Sequence, residues 1–129
     1  MPINSRAGIK VNSFTVGEGQ DQILLLHCSL ASSRAWLPII GHLKDSLSVT
    51  AFDLPGHGMS QDWDYSSDYQ DACLDISATF INKPVHLVGH SFGATVALRV
   101  AHRYPNFVRS LSLIAVSYTH LTLPTTDRV

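Results

Sequence analysis

In the stretch LVGHSFGATVAL one serine, Ser91, stands between Gly89 and Gly93, where an apolar run meets a helix-like pattern. It fits G-x-S-x-G, with a strand expected before the serine and a helix after it. A serine at so tight a turn is held in a strained backbone conformation. Side chains two residues before and after it would collide with the neighbouring strand and helix, and glycine removes the collision. The same turn points the backbone N–H of Phe92, and the positive end of the following helix, at the place where an oxyanion would form. Ser91 is therefore the candidate nucleophile, and the Phe92 N–H a candidate oxyanion donor.

The rest of the chain alternates strand and helix patterns. Ile9 to Val16 reads as a strand ending in the turn signal GEGQD, and Gln22 to Leu26 is a short apolar run suited to a strand buried on both faces. Ser32 or Ser33 can cap a helix carrying Trp36, Ile39, Ile40, Leu43 and Leu47, with Pro38 tolerable in its first turn. A strand over Leu47 to Phe52 leads into DLPGHGMS. The acidic, aromatic loop QDWDYSSD precedes a helix with Tyr69, Ala72, Cys73, Ile76 and Phe80 on one side, ended by Asn82 and Pro84. Val85 to Val88 is a strand, Gly93 onward a helix stopped by Pro105, and Val108 to Ala115 another apolar strand. This alternation predicts a parallel βαβ sheet with helices on both faces.

Composition excludes more than it identifies. The chain has 129 residues, enough for one domain, with 45% hydrophobic and 15% charged residues. A net charge of −1 gives no electrostatic reason to expect nucleic acid or anionic lipid as a partner. No signal-peptide core and no membrane-length apolar run stand out, so a cytoplasmic, non-membrane location is the expectation. Cys28 and Cys73 are expected to be free thiols, without metal-ligand spacing, and no metal or cofactor is expected.

With these motifs in order, the chain resembles the α/β-hydrolase family over Ile9 to about Ala115. Leu26-His27-Cys28-Ser29 lies where that family usually has His-Gly-x, which implies that the backbone N–H of Ser29 is the second oxyanion donor. Cys28 in place of the usual glycine departs from the pattern. Asp53-Leu54-Pro55-Gly56-His57-Gly58-Met59-Ser60 is similar to the family's D-x-P-G-x-G-x-S loop, whose role there is structural. By that match His57 and His90 flank turns rather than act as bases. His27 reads as a loop-ordering histidine and His42 as surface. Trp36, Trp63 and Tyr65 read as core and loop anchors, or as an entrance lining.

The resemblance implies an α/β fold: a partial α/β-hydrolase domain over 1–115, with a mostly parallel doubly wound sheet lacking the C-terminal strands and lid. It implies a serine hydrolase acting on a carboxylic ester or related small-molecule acyl substrate, inactive or very weak in this form, with Ser91 attacking the carbonyl and the backbone N–H groups of Ser29 and Phe92 holding the oxyanion. A lactonase, a carbon–carbon bond hydrolase or a non-catalytic binding protein of the same fold are the alternatives. Serine at 91 argues against haloalkane dehalogenases and epoxide hydrolases, which carry aspartate there. The family's acid and histidine follow the nucleophile in chain order, and neither is identified in this sequence. His102 lies roughly three turns along the helix that starts at Ser91, too far to return to it. Residues 116–129 read as a non-native tail, because VSYTHLTLPT (116–125) is similar to a frame translation of a transposon-end adapter; His120 and Asp127 are set aside with it.

Overall fold

The computed structural model describes residues 2–115; the readings placed on 116–129, His120 and Asp127 included, lie outside the described residues. Among the described residues six strands form one sheet: β1 (Ile3–Arg6), β2 (Ile9–Val16), β3 (Gln22–Leu26), β4 (Ser48–Phe52), β5 (Val85–His90) and β6 (Val108–Ile114). Their order across the sheet is β1-β2-β4-β3-β5-β6. The pairs β4–β3, β3–β5 and β5–β6 are parallel, whereas β1–β2 and β2–β4 are antiparallel. The sheet is thus mixed, parallel through its centre and antiparallel at one side. The polar, largely exposed INSR of β1 carries no apolar pattern that would announce a strand.

Among the described residues three α-helices connect the strands: α1 (Leu37–Leu43), α2 (Tyr69–Ala78) and α3 (Phe92–Arg103). A short 3-10 turn, Ser33–Trp36, precedes α1, with Ser32 capping it by accepting the Arg34 N–H, so the single helix expected from the apolar spacing is divided in two. Pro38 falls in the first turn of α1, where its missing N–H costs nothing. Ile39 is 41% exposed, because it lies one position off the stripe of Trp36, Ile40, Leu43 and Leu47 that faces the sheet. Asp68 caps α2 by accepting the Asp71 N–H.

Buried side chains separate onto the two faces of the sheet. Leu24 and Leu26 join Phe52, Leu54, Ile76, Leu87, Val96 and Val100 under α2 and α3. Ile23 and Leu25 join Val49, Ala51, Trp36 and Ile40 under α1. Period-two alternation within β3 therefore feeds both cores, as a wholly apolar central strand should. At the far edge β6 is largely exposed, with Leu113 and Ile114 among its open apolar residues.

Candidate active site

The C-terminal ends of the parallel strands bring three loops to one edge of the sheet. Leu26 of β3 is in register with Phe52 of β4 on one side and with Gly89 of β5 on the other. The residues that follow, His27 to Ser33, Asp53 to Ser60 and Ser91 to Gly93, are therefore neighbours.

Ser91 is the N-cap of α3, at φ 54° and ψ −113°. A serine in this region is strained by on the order of 1–3 kcal/mol and persists only where its surroundings fix it. Those surroundings are visible. The Ser91 N–H donates to the Ile114 carbonyl of β6 at 2.9 Å, and the Ser91 carbonyl accepts from Ala94 at 2.9 Å and Thr95 at 3.3 Å. A side chain at Gly89 would run into the Gly93 carbonyl and the backbone of Ala94; one at Gly93 would run into the Leu26 and His27 carbonyls. Each clash is with backbone, which cannot swing aside. The expectation that glycines are needed two residues either side of the serine therefore holds for a concrete reason.

The first N–H groups of a helix lack intrahelical partners. Among the described residues, no hydrogen bond engages the amide of Phe92 or that of Ser29, nor the hydroxyl of Ser91. Ser29 is exposed and Ser91 half-buried.

The loops are held by buried polar groups. His27, 1% exposed, accepts the Leu54 N–H at Nε2 (3.0 Å) and donates from Nδ1 to the Cys28 carbonyl at 2.7 Å. These partners fix the Nδ1–H tautomer. Burial holds the imidazole below its ordinary pKa, so His27 orders the loop as a neutral ring. The carboxylate of Asp53, also buried, takes the Ser33 N–H at 2.7 Å on Oδ1, and the Met59 N–H (3.0 Å) and the Asn12 side-chain amide (2.9 Å) on Oδ2. Burial alone would raise its pKa; the donors outweigh that and hold it below the usual carboxylate range. Ser60 completes the turn, donating to the Asp53 carbonyl at 2.6 Å and accepting the Asn12 N–H at 2.9 Å.

Sequence reasoning saw the D-x-P-G-x-G-x-S turn but missed the reach of Asp53, which spans twenty residues to Ser33. A carboxylate placed between a buried strand and a proline-glycine turn was the available signal. It also missed Tyr69, whose hydroxyl donates to the Pro55 carbonyl at 2.7 Å and whose ring packs between Phe92 (5.6 Å) and Trp63 (5.3 Å). Burial pushes the Tyr69 phenol above its ordinary range, so it stays protonated as a donor. His57 packs against His27 with ring centroids 5.2 Å apart and has its Nδ1 3.0 Å from the Pro55 carbonyl, while His42 and His102 are exposed. Trp36 is core, whereas Tyr65 is 85% exposed and touches Trp63 edge-on. Cys28 and Cys73 are free thiols. Among the described residues no group of histidines, cysteines and carboxylates could hold a metal, and no helix is long and apolar enough to cross a membrane.

Known proteins are similar to this chain in sequence and in fold. The chain is 35% identical over 103 residues to a pimeloyl-[acyl-carrier protein] methyl ester esterase of Proteus mirabilis, covering 80% of this chain and 39% of that protein. It is 29% identical over 104 residues to an (E)-2-((N-methylformamido)methylene)succinate hydrolase of Acinetobacter baylyi, again 39% of that protein. The chain thus spans about two fifths of the length of these curated relatives. Among solved structures, an epoxide hydrolase from Vigna radiata superposes with a TM-score of 0.84 at 23% identity, covering 98% of this chain and 42% of that one, a likeness of fold alone. The thioesterase domain of a curacin biosynthetic pathway superposes at 0.75 with 27% identity, covering 86% of this chain and 44% of that one. Residues 23–127 match the model of the alpha/beta hydrolase family, and the chain belongs to that family.

Proposed function

We propose that this chain carries the nucleophile and oxyanion half of a serine hydrolase that acts on a carboxylic ester or related acyl substrate. The observation that carries the reading is the backbone of Ser91, held at φ 54° on the N-terminus of α3 between two glycines that tolerate no side chain. Strain of this kind is retained where it serves a reaction, and here it presents a hydroxyl at the positive end of a helix. In the proposed reaction Ser91 Oγ attacks the acyl carbonyl carbon and its proton passes to a general base. The oxygen that becomes negative is met by the N–H groups of Phe92 and Ser29; its collapse breaks the ester C–O bond, the alcohol leaves with the proton held by the base, and water then hydrolyses the acyl–Ser91 ester to the acid and restores the hydroxyl. Identity to an esterase over most of this chain supports an ester as the substrate class.

The base and acid are proposed to come from sequence other than residues 2–115. Within them His102 sits at the far end of α3, and His27 has both ring nitrogens committed to the backbone. A serine without its base loses most of its catalysis, so the 129-residue chain should turn over p-nitrophenyl acyl esters only weakly. Sequencing the source gene past codon 115 tests this: an acid and a histidine at later strand ends support the hydrolase, and their absence sinks it. Strong turnover by the 129-residue chain itself, abolished by Ser91→Ala, would contradict the placement of the base. We further propose a small-molecule acyl partner, no nucleic acid or membrane partner, and a cytoplasmic location.

A further inference from the structure

We propose that Asp53 is a positioning residue for the oxyanion loop: its carboxylate, working with His27, fixes the segment that presents the Ser29 N–H. The inference rests on the role proposed for Ser29 and Ser91. It starts from a reciprocal arrangement of two loops. His27, at the start of the segment 27–33, accepts the N–H of Leu54 from the neighbouring loop. At the end of the same segment, the N–H of Ser33 donates to Asp53, the residue next to Leu54. Ser29 lies between these two ties and makes no hydrogen bond of its own among the described residues. The loop also carries Leu30 at φ 64° and 98% exposed, so neither apolar burial nor relaxed backbone holds this stretch in shape. What holds it is the pair of bonds at its ends, with one turn between them in which the Ala31 N–H donates to the Cys28 carbonyl at 3.3 Å.

Asp53 is in turn fixed. Asn12 on β2 and the Met59 N–H share its second oxygen, and Gly58, at φ 51°, closes around the carboxylate so tightly that any side chain there would strike it. Bonds from an ionised acceptor are shorter and stronger than neutral ones, and in a buried site their loss leaves several donors unpaired. Donors face both oxygens, which only a carboxylate satisfies; an amide has one acceptor oxygen, and its nitrogen would face a donor with a donor. Neutralising Asp53 should therefore loosen the Ser33 end of the loop and let the Ser29 N–H drift from the oxyanion position.

Two variants test this in the 129-residue chain. Asp53→Asn keeps one acceptor oxygen, and the orientation that still serves Asn12 and Met59 turns the NH2 toward the Ser33 N–H. Ser33→Pro leaves the carboxylate and removes what Ser33 gives it, the N–H and the buried hydroxyl: position 33 opens the 3-10 turn, where proline fits, and Ser32 before it is extended (φ −156°, ψ 178°), as a residue preceding proline must be. Ile40→Ala, in the core under α1, serves as the destabilised control that touches neither loop. Two readouts are taken well below each variant's melting temperature. One is the rate of Ser91 acylation by p-nitrophenyl acetate, followed by intact mass against Ser91→Ala; the other is the amide relaxation of Ser29 by NMR.

Losing one oxyanion donor costs on the order of a hundred- to a thousandfold, so a misplaced one should slow acylation about ten- to a hundredfold. Ser29 should become mobile in both loop variants, with Phe92 unmoved and Ile40→Ala unaffected in either readout. An acylation rate within about twofold of the parent's in Ser33→Pro, a Ser29 amide as rigid as before, or equal slowing by Ile40→Ala overturns the proposal. No acylation of Ser91 in the parent chain would follow from the missing base as readily as from a failed nucleophile, and takes the acylation readout out of the comparison. The relaxation of Ser29 then decides the positioning role alone, mobility in both loop variants supporting it and rigidity in either overturning it.

Discussion

His27 and Leu54 are joined across adjacent strand ends by a buried 3.0 Å hydrogen bond in which the imidazole Nε2 accepts the backbone N–H. A protonated imidazole has no lone pair to offer, so this bond exists only while His27 is neutral. The pH dependence of stability follows. Burial lowers the His27 pKa below 6.5, so the unfolded chain takes up this proton at a higher pH than the folded one. The contribution is complete above about 6.5 and is lost as pH falls below it. Asp53 is also lowered, from 3.8, so its contribution is present above that value and is lost on further acidification. Urea unfolding at pH 8, 5 and 3 should show stability falling in two stages. His27→Gln should flatten the first stage; equal stability at pH 8 and pH 5 in the parent would contradict the assignment.

Gly93→Ala should be costly even though alanine is the better helix former. Its methyl group would meet the carbonyls of Leu26 and His27, so either α3 or β3 must shift. A loss of about 2–4 kcal/mol is expected, measured by denaturant midpoint at unchanged slope. Gly41, whose added methyl would meet nothing within 4 Å in the exposed part of α1, should instead gain up to about 1 kcal/mol as alanine.

Ser91→Gly should separate stability from chemistry. Glycine relieves the φ 54°, ψ −113° strain, for a gain of roughly 1 kcal/mol after its entropic cost, while removing the reactive hydroxyl. Ser91→Ala keeps the strain and should leave the melting temperature nearly unchanged. Equal melting temperatures for the two variants would show that the elbow stores no strain.

The two cysteines should react differently. Burial pushes the Cys73 thiol up to about 12, and it is fully enclosed in the core under α2 and α3. Cys28 is partly exposed on the loop edge. A thiol reagent such as DTNB should modify one cysteine in the native chain and two after denaturation; two fast equivalents in the native state would place Cys73 wrongly.

The parts of this fold legible in the sequence were those whose signal is local. Gln22 to Leu26 is apolar throughout because it feeds two cores, and the serine between two glycines marks its own turn because both clashes lie within a few residues or on the next strand. The antiparallel edge was not legible, since Ile3–Arg6 is short and polar and its pairing with Ile9 to Asn12 follows from register rather than periodicity. Nor was the division of the first helix at Trp36, which depends on capping by Ser32 and on Pro38. In the site, Ser91 and the turn after β4 stood out. The buried carboxylate of Asp53 did not, because its partners Asn12, Ser33 and Met59 come from three separate segments and only the folded sheet collects them.

The nucleophile reading is tested most directly by covalent trapping. The protein encoded by the source gene would be treated with a fluorophosphonate and its peptides mapped by mass spectrometry. One phosphonate on Ser91, absent in Ser91→Ala, is the expected result. A modified residue other than Ser91, or none in a protein that still hydrolyses esters, would contradict it.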